Sequence, residues 1–456
     1  MNIQPLWTSA ELRAATAGAL AVELAVTGLA IDSRVVQPGD LFIALRDQRD
    51  GHEFVPAAFA AGATCCMVDR DVAGSPLLRV ADTLAGLTAL GAAGRGRSSA
   101  RVAAITGSVG KTGTKEMLRL MLGALGPTHV PVASYNNHWG VPLTLARMPH
   151  DTAWAAIEIG MNNPGEIAPL AALARPHVAA ITTVGEAHVG HLGSVEAIAD
   201  EKASIVSGLL PGGVAVLPRD NPHFPRLAAA ASAVGARILG FGRDAEADVR
   251  LHDASTGPDG TTARFSVLGL PLSIAMPAVG LHHAENAACA LAVVAALGGD
   301  VARAAPALAH YAPGAGRGAA QSIPVPGGTA LLLDDSYNGQ PPAMRAALRN
   351  LALRQASRRV AVLGDMRELG GFSAELHRGL AAEATAAADL VFCCGPEMQH
   401  LFAALPVDKQ GALTADSTSL APLVKAALRP GDAVLVKGSL GSRMAVIIRA
   451  LTETSP

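Results

Sequence analysis

One pattern constrains this chain more than any other, the alternation of short apolar runs with helical stretches from Arg101 onward. RVAAIT is followed by KTGTKEMLRLMLGAL, whose apolar residues recur at helical spacing, and AWAAIEIG and HVAAITTVG continue the series. This alternation predicts a parallel sheet with crossover helices. After YAPGAGRGAA the pattern returns with LLLDDSY, RVAVLGDM, ADLVFCCG and AVLVKGS. A second α/β unit is therefore expected in the last third of the chain.

The length of 456 residues exceeds what one hydrophobic core usually serves. Before about Leu90, short apolar runs alternate with turn signals, and we predict a first linker at GAAGRGRSS and a second junction at YAPGAGRGAA. The sequence thus predicts an α/β protein of three domains. These are a small α/β N-terminal domain at 1–98, a central parallel-sheet, P-loop ATPase-like domain at 99–314 and a C-terminal Rossmann-like domain at 315–456.

Composition excludes several classes of function. A net charge of −2 and 3% aromatic residues argue against a nucleic-acid partner. The start lacks a basic segment followed by an apolar one, and the longest apolar stretches are too short to cross a bilayer. We therefore expect a cytoplasmic protein without membrane insertion. The five cysteines contain no CxxC pair and are expected to be buried, reduced thiols, namely Cys65, Cys66, Cys289, Cys393 and Cys394.

A glycine-containing loop stands between the strand RVAAIT and the helix that follows it. Glycines let successive N–H groups point inward, the helix N-terminus favours anions, Lys111 can reach terminal phosphates and Thr112 can ligate Mg²⁺. Ile105 occupies the place of the first glycine of the full Walker motif, so this is a shorter form. The alternative is a glycine-rich turn with a solvated lysine. The predicted triphosphate site comprises Thr106, Gly107, Ser108, Val109, Gly110, Lys111, Thr112 and Gly113.

Two further side chains are expected at the same crevice, because carboxyl ends of parallel strands meet at one edge. Glu158 ends a probable central strand and is an oxygen ligand suited to Mg²⁺, with a salt-bridged strand end as the alternative. His188 follows the next strand, and a lone histidine there would more often be structural.

TGSVGKT followed by an apolar helix resembles the ATP loop of the Mur ligase and folylpolyglutamate synthase superfamily. The run GEAHVGHLGSVEAIADEKASI is similar to the segment of that superfamily which carries a histidine and a lysine. The resemblance implies ATP, two Mg²⁺ ions, His188 as a metal ligand beside Thr112 and Glu158, and Lys202 as a carbamylated metal ligand. Ser204 stands where the family often has an acidic residue.

Two other segments resemble the family's nucleotide site. Asn136 and Asn137 precede GVPLTL, and Gly280-Leu281-His282-His283 with Asn286 is similar to G-x-H-N-x-x-N, with His283 replacing asparagine. The resemblance implies ATP contacts from Asn137, His282 and Asn286. As isolated residues, His282 and Asn286 could instead be helix N-terminal caps.

The first and last thirds of the chain contain the segments whose resemblance bears on the substrate. The run from Asp32 to Phe42, with Asp50-Gly51-His52, resembles the uridine-nucleotide domain of Mur ligases and implies diphosphate binding by Ser33 and Arg34. The alternative is an ordinary cap and turn. DDSYN with Pro342-Ala343-Met344 is similar to the segment of the family members that add D-alanyl-D-alanine, with alanine in place of serine at 343.

VLGDMRELG with His377, and Val436-Lys437-Gly438-Ser439, complete that pattern, although Leu440 stands where the family often has arginine. The resemblance implies nucleotide contact by Asp335 and Arg317, and substrate contact by Tyr337, Asn338, Lys437 and Ser439.

The implied reaction is ATP-dependent amide ligation between UDP-N-acetylmuramoyl-tripeptide and D-alanyl-D-alanine through an acyl phosphate, in peptidoglycan precursor synthesis. Its catalytic residues would be Lys111, His188, Lys202 and Arg317. We expect a monomer. Rival hypotheses are another Mur-type ligase, a folylpolyglutamate-synthase-like ligase without a uridine domain, and a non-enzymatic nucleotide switch.

Overall fold

Four β-sheets organise the chain, and the three larger ones follow one another along it. The computed structural model describes residues 5–453. The first four and last three residues, which the predicted ranges 1–98 and 315–456 include, lie outside the described residues. Each of the three larger sheets falls within one of the predicted ranges 1–98, 99–314 and 315–456. The α/β fold class predicted from the sequence is confirmed.

The N-terminal part contains a two-stranded antiparallel sheet and a four-stranded parallel sheet whose strands pair in chain order. Their strands are β1 (Trp7–Thr8), β2 (Ala25–Val26), β3 (Gly28–Ala30), β4 (Asp40–Ile43), β5 (Cys65–Val68) and β6 (Leu77–Arg79). The helices are α1 (Ser9–Thr16), α2 (Val55–Ala60) and α3 (Thr83–Arg97), with 3₁₀ turns at Ser33–Val35 and Gly51–Phe54.

The predicted first linker is wrong, because residues 91–97 form the second half of α3. The helix begins at an Asp82 cap, whose side chain accepts from the backbone N–H of Ala85. A Cβ on Gly91 would lie 2.8 Å from the carbonyl oxygen of Pro142, and one on Gly94 would lie 2.4 Å from that of Leu145. The glycines are therefore contact residues between two helices, and the connection to the next unit is confined to residues 98–100.

The central part is built on a nine-stranded sheet in the order β15-β14-β13-β12-β11-β10-β7-β9-β8. Its strands are β7 (Arg101–Thr106), β8 (Thr128–His129), β9 (Trp154–Glu158), β10 (Val178–Ile181), β11 (Val214–Pro218), β12 (Arg237–Gly242), β13 (Val249–Gly257), β14 (Gly260–Val267) and β15 (Leu270–Met276). The helices are α4 (Lys111–Gly123), α5 (Gly140–Ala146), α6 (Ile167–Ala174), α7 (Val189–Leu192), α8 (Val195–Ala203), α9 (Phe224–Ala233), α10 (His282–Ala296) and α11 (Val301–Ala304), with 3₁₀ turns at Ser204–Gly208 and Ala305–His310.

The strands from β7 to β13 are all parallel, as predicted, but β13, β14 and β15 form an antiparallel meander that the sequence analysis missed. The turn between β14 and β15 has Leu268 and Gly269 at positive φ, which gives it the tight geometry of a hairpin. Strand β9 was expected to be central, yet only the two-residue β8 lies outside it.

The C-terminal sheet has the order β16-β17-β21-β18-β19-β20, and only the β16–β17 pair is antiparallel. Its strands are β16 (Ala319–Val325), β17 (Gly328–Asp335), β18 (Arg358–Gly364), β19 (Leu390–Cys394), β20 (Gln410–Thr414) and β21 (Asp432–Lys437). The helices are α12 (Pro341–Ala352), α13 (Ser373–Arg378), α14 (Ala381–Ala387), α15 (Gln399–Phe402), α16 (Ser417–Ala427) and α17 (Ala445–Thr452), with 3₁₀ turns at Gly370–Phe372, Val407–Lys409 and Leu440–Ser442.

The three parts are joined by specific contacts. The indole N–H of Trp7 donates to the carbonyl oxygen of Ala146 over 2.9 Å, and the Arg147 guanidinium donates to that of Leu29 over 2.8 Å, so α5 and its end are tied to the N-terminal sheets. One apolar cluster contains buried residues of both the central and the C-terminal sheets, including Ala104 and Leu435. Packing therefore continues across the boundary between these two sheets.

All five cysteines are buried and free, as expected from the sequence. Burial raises the pKa of the Cys65 thiol to about 11 and that of Cys394 to about 12, so these thiols stay protonated near neutral pH. None of the helices within residues 5–453 has both the length and the apolar character needed to cross a membrane.

Candidate active site

A cavity of about 520 Å³ lies where the central and C-terminal sheets face each other. On the central side it is reached by the loop after β7 and by the segments after β9 and β10, which flank β7 in the sheet. The chain passes from β7 to β8 and β9 on one side of β7 and then crosses to β10 on the other, so this is a topological switch point, where α/β sheets bind ligands. The predicted residues that line the cavity are Ser108, Val109, Gly110, Lys111, Thr112, Gly113, Asn137, Glu158, His188, His282, Asn286, Arg317, Asp335, Tyr337, Asn338 and Lys437.

The loop from 107 to 110 has a backbone that only glycine accommodates at two positions. Gly107 has φ +148°, and a Cβ there would lie 1.9 Å from Oγ1 of Thr182. Gly110 has φ +87°, and a Cβ would lie 2.5 Å from Oδ1 of Asn286. The backbone N–H of Ser108 donates to the carbonyl oxygen of Thr183 over 2.9 Å, which braces the loop against β10. Helix α4 begins directly after this loop, so its N-terminus faces the cavity.

Lys111 places its ammonium within this loop, where Nζ donates to the carbonyl oxygen of Gly107 over 2.6 Å. Burial lowers the pKa of Lys111, Glu158 raises it and Arg317 lowers it. Two cations thus face one small space near a single carboxylate. Such an arrangement is stabilised by an anion with several negative charges, as a triphosphate would be.

Glu158 is 1% exposed and accepts two hydrogen bonds. The hydroxyl of Thr112 donates to Oε2 over 3.0 Å, and the amide of Asn136 donates to Oε1 over 2.8 Å. A carboxylate beside a hydroxyl, next to a phosphate loop, fits Mg²⁺, which binds few protein oxygens together with phosphate oxygens. Within residues 5–453 no three His, Cys, Asp or Glu side chains gather into a metal cluster, so nucleotide oxygens would complete this site.

Lys202 does not line the cavity and lies beneath it, 1% exposed at the end of α8. Burial lowers the pKa of its ammonium well below the ordinary value, Lys111 lowers it further and Glu201 raises it. Glu201 cannot neutralise it fully, because its carboxylate accepts from the backbone N–H groups of Gly165 and Ile167. Burial and the neighbouring Lys111 thus disfavour the charged form of this amine.

His188 lies on the cavity wall with a left-handed backbone, φ +68°. Its Nδ1 is 2.5 Å from Oε2 of Glu368, a residue that follows β18 in the C-terminal sheet. Although the two atoms are close, the contact lacks the angles of a hydrogen bond, and Nδ1 has no hydrogen-bond partner within the described residues. The predicted metal ligand thus contacts a carboxylate of the C-terminal part.

One end of the cavity is formed by the start of α10. The ring centres of His282 and His283 are 3.9 Å apart with the rings tilted by 43°, and the ring of Tyr311 meets that of His283 edge-on at 5.4 Å. Burial lowers the pKa of His282 to about 4, with Asp335 raising it and Lys437 lowering it, so the imidazole is neutral near pH 7. Neither His282 nor Asn286 caps the helix, whose cap position is Leu281 without a side-chain bond. The capping alternative is therefore wrong.

Arg317 reaches the central sheet from the second junction. Its Nη2 donates to the hydroxyl of Ser134 over 2.9 Å, and its guanidinium lies 4.4 Å from the ring centre of Tyr337. Cation–π contact and hydrogen bond together fix the guanidinium at the cavity wall. Asn137 also lines this wall, and its side-chain Oδ1 accepts from the backbone N–H of Gly140 at the start of α5.

Asp335 and Lys437 form a pair on the C-terminal side. Nζ of Lys437, a side chain 1% exposed, is 2.8 Å from Oδ2 of Asp335 and donates to the carbonyl oxygen of Asn338 over 2.8 Å. Ser439 does not line the cavity, and its hydroxyl accepts from the backbone N–H of Arg367. Ser439 therefore supports the loop that presents Tyr337 and Asn338, because Gly339 packs directly against it.

Ser33 and Arg34 lie in the N-terminal part and do not line the cavity. Asp32 caps their 3₁₀ turn and pairs with the Arg34 guanidinium at 2.6 Å, while 85% of that side chain is exposed. The structure thus bears out the local cap that was the alternative for this segment. A role for these two residues in diphosphate binding stays a prediction.

Several cavity residues were not predicted from the sequence. Asn136 was quoted without a role, and it holds Glu158. Arg349 and Asn350, near the C-terminus of α12, and Glu285 in α10 line the end of the cavity near His282. Their positions follow from the approach of two distant helices, for which the sequence carries no local signal. Glu368 stood within the quoted VLGDMRELG and could have been noted as a carboxylate after a parallel strand.

Comparison with known proteins matches two parts of this chain to one family. Residues 105–294 match the Mur ligase middle domain, and residues 323–440 match the Mur ligase glutamate ligase domain. A UDP-N-acetylmuramoyl-tripeptide–D-alanyl-D-alanine ligase of Synechocystis sp. is 33% identical, over 96% of this chain and 94% of its own length.

Among solved structures, MurF from Acinetobacter baumannii is similar with a TM-score of 0.85 and 30% identity, covering 100% of both chains. MurF ligase from Thermotoga maritima in complex with ADP has a TM-score of 0.76 and 26% identity, covering 93% of this chain and 96% of its own.

Proposed function

The chain belongs to the Mur ligase family, and we propose from this that it joins D-alanyl-D-alanine to UDP-N-acetylmuramoyl-tripeptide in peptidoglycan precursor synthesis, with ATP as the energy source. The observation that carries the proposal is similarity to D-alanyl-D-alanine-adding ligases along nearly the whole chain. The cavity agrees with it, because a phosphate loop on one sheet faces the DDSYN segment on another.

In the first step, a carboxylate oxygen of the tripeptide attacks the γ-phosphorus of ATP, the bond to ADP breaks, and an acyl phosphate forms. The two reactants are both negatively charged and repel each other. Lys111, the backbone N–H groups of the loop and Arg317 surround the space in which they would meet. Fixed positive groups of this kind stabilise the charge that spreads over the transferring phosphoryl group.

In the second step, the amine of D-alanyl-D-alanine attacks the acyl carbon, phosphate leaves, and the amine loses a proton. Asp335, Tyr337 and Asn338 face the cavity from the C-terminal sheet. We assign them to the amine substrate and to closure of the site, which would keep water from the acyl phosphate.

We assign one Mg²⁺ to Thr112 and Glu158, where it would neutralise phosphate charge, and a second ion to His188 and Lys202. The proposed carbamylation of Lys202 is supported by the lowered pKa of that amine, because only a neutral amine attacks CO₂. The product would be an anionic ligand in place of a cation that repels metal. Ser33 and Arg34 are assigned to the uridine diphosphate, and we place the enzyme in the cytoplasm as a monomer.

The test is product formation from purified components. We expect amide product and phosphate release only when ATP, UDP-N-acetylmuramoyl-tripeptide and D-alanyl-D-alanine are all present, with lysine- and diaminopimelate-containing tripeptides assayed separately. Replacing D-alanyl-D-alanine by glutamate, or the tripeptide by a folate, examines the folylpolyglutamate-synthase-like alternative. Phosphate release that is equal without the dipeptide would contradict the proposal.

A further inference from the structure

The contact between His188 and Glu368 joins a residue of the cavity wall in the central part to a residue of the C-terminal part. Their side chains are 16% and 34% exposed, with Nδ1 and Oε2 at 2.5 Å. His188 lies between β10 and α7, while Glu368 follows β18 by four residues. A contact between residues this far apart in the chain exists only when the C-terminal sheet is docked against the central one.

Both residues also have an unusual backbone. His188 has φ +68° and Glu368 has φ +67°, in a region that costs other residues than glycine about 1–3 kcal/mol each. Such strain persists where neighbouring structure determines the conformation. Here the backbone N–H of Gly190 donates to the carbonyl oxygen of Glu368 over 2.9 Å, and a Cβ on Gly190 would lie 2.4 Å from the backbone nitrogen of Gly370. The two strained segments brace each other.

The chemistry of the pair follows from the two ring nitrogens. A carboxylate at Nδ1 favours the tautomer with a proton on Nδ1, and this leaves the lone pair of Nε2 available to a ligand. We propose that Glu368 is a positioning residue that sets the tautomer and orientation of His188, so that His188 becomes competent only when the C-terminal unit docks. This rests on the proposed function, in which His188 is assigned to a metal ion.

The misaligned angle of the present contact is consistent with this role. Catalytic hydrogen bonds are often poorly aligned before substrates bind and tighten afterwards. We expect the 2.5 Å approach of Nδ1 and Oε2 to become an aligned hydrogen bond when substrates bind.

The direct test is nitrogen NMR of the full chain with ¹⁵N-labelled histidine, with the His188 signal assigned by its loss in His188→Gln. We expect the Nδ1–H tautomer in the wild type with ADP and UDP-N-acetylmuramoyl-tripeptide, and loss of that preference in Glu368→Gln, whose amide can donate to Nδ1. A wild type that holds the Nε2–H tautomer would overturn the proposal, whether or not any variant folds.

Kinetics give the second readout. We expect Glu368→Gln to lower kcat by about 10- to 100-fold with little change in the KM for ATP, and Glu368→Asp to recover part of the loss. Glu375→Gln, an exposed glutamate of α13, is the matched control and should keep the wild-type rate. An inactive wild type would count against the proposed function and leave the NMR result standing. An active wild type with an equally active Glu368→Gln would count against the role of Glu368 in positioning His188.

Discussion

Lys202 is the residue whose chemistry depends most on its surroundings. It is 1% exposed, and Lys111 disfavours its charged form while Glu201 favours it. Burying such an amine costs free energy, and an apolar side chain of similar shape removes that cost. We expect Lys202→Met to lower the rate of amide formation by about 100-fold, while the free energy of unfolding stays equal or rises by about 1–3 kcal/mol. Urea unfolding and the ligation assay measure the two effects, and a destabilised variant would contradict this.

The same residue should make stability depend on pH. Its folded pKa is lowered from the ordinary value of 10.5, so between the two values the unfolded chain binds more protons than the folded chain. Stability therefore rises with pH across that window. In CO₂-free buffer, the difference in unfolding free energy, wild type minus Lys202→Met, should increase from pH 7.5 to 9.5. A difference that is constant over this range would show that the pKa of Lys202 is not lowered in the folded state.

Among the elements, the loop between β7 and α4 has a backbone conformation that its neighbours constrain tightly. Gly107→Ala would place a Cβ 1.9 Å from Oγ1 of Thr182 at φ +148°. We expect a loss of about 1–3 kcal/mol in stability together with a raised KM for ATP, because the loop must move to relieve the clash. Gly123→Ala is the control, since it meets no atom within 4 Å and ends the same helix, α4. It should raise stability by up to about 1 kcal/mol and leave the KM unchanged. Equal effects of the two variants would argue against a specific role for the loop.

The elements also show why part of the fold could be predicted and part could not. RVAAIT and AVLVKGS were identified as strands because their apolar runs are local and bounded by turns. The meander β13–β15 was missed because its strands mix buried and exposed residues and lack the continuous apolar runs that marked the parallel strands. Residues 91–97 were taken for a linker because glycine usually interrupts a helix. In the structure these glycines belong to a helix and allow its close contact with α5.

Only some of the residues at the candidate site could likewise be predicted from the sequence. The phosphate loop and Glu158 stand next to strand ends and could be found from spacing alone, but Lys202 and His188 required family resemblance. Asn136, Arg349 and Glu368 act through contacts between segments far apart in the chain. Sequence patterns within one element carry no information on such contacts.

At the scale of the whole molecule, each of the three parts contains at least one buried cysteine, whose reactivity reveals when that part unfolds. Cys65 and Cys66 lie in β5, Cys289 in α10, and Cys393 and Cys394 in β19, all buried. Burial raises the pKa of every one of them, so the reactive thiolate is scarce in the native state. We expect almost no reaction with a thiol reagent at pH 7.5 in native buffer and reaction of five thiols in urea. Mass spectrometry of samples at intermediate urea would show which part opens first, and rapid labelling without urea would contradict the buried arrangement.

The N-terminal part is attached differently from the C-terminal part, and this bears on how the molecule can move. Glycines 91 and 94 bring α3 against α5, and Trp7 and Arg147 add hydrogen bonds across the same boundary. The C-terminal part meets the central one around the cavity, where polar contacts such as that of Arg317 with Ser134 stand beside a shared apolar cluster. Because the cavity lies between the central and C-terminal parts, we expect it to open by movement of the C-terminal part, while the N-terminal part stays fixed to the central one.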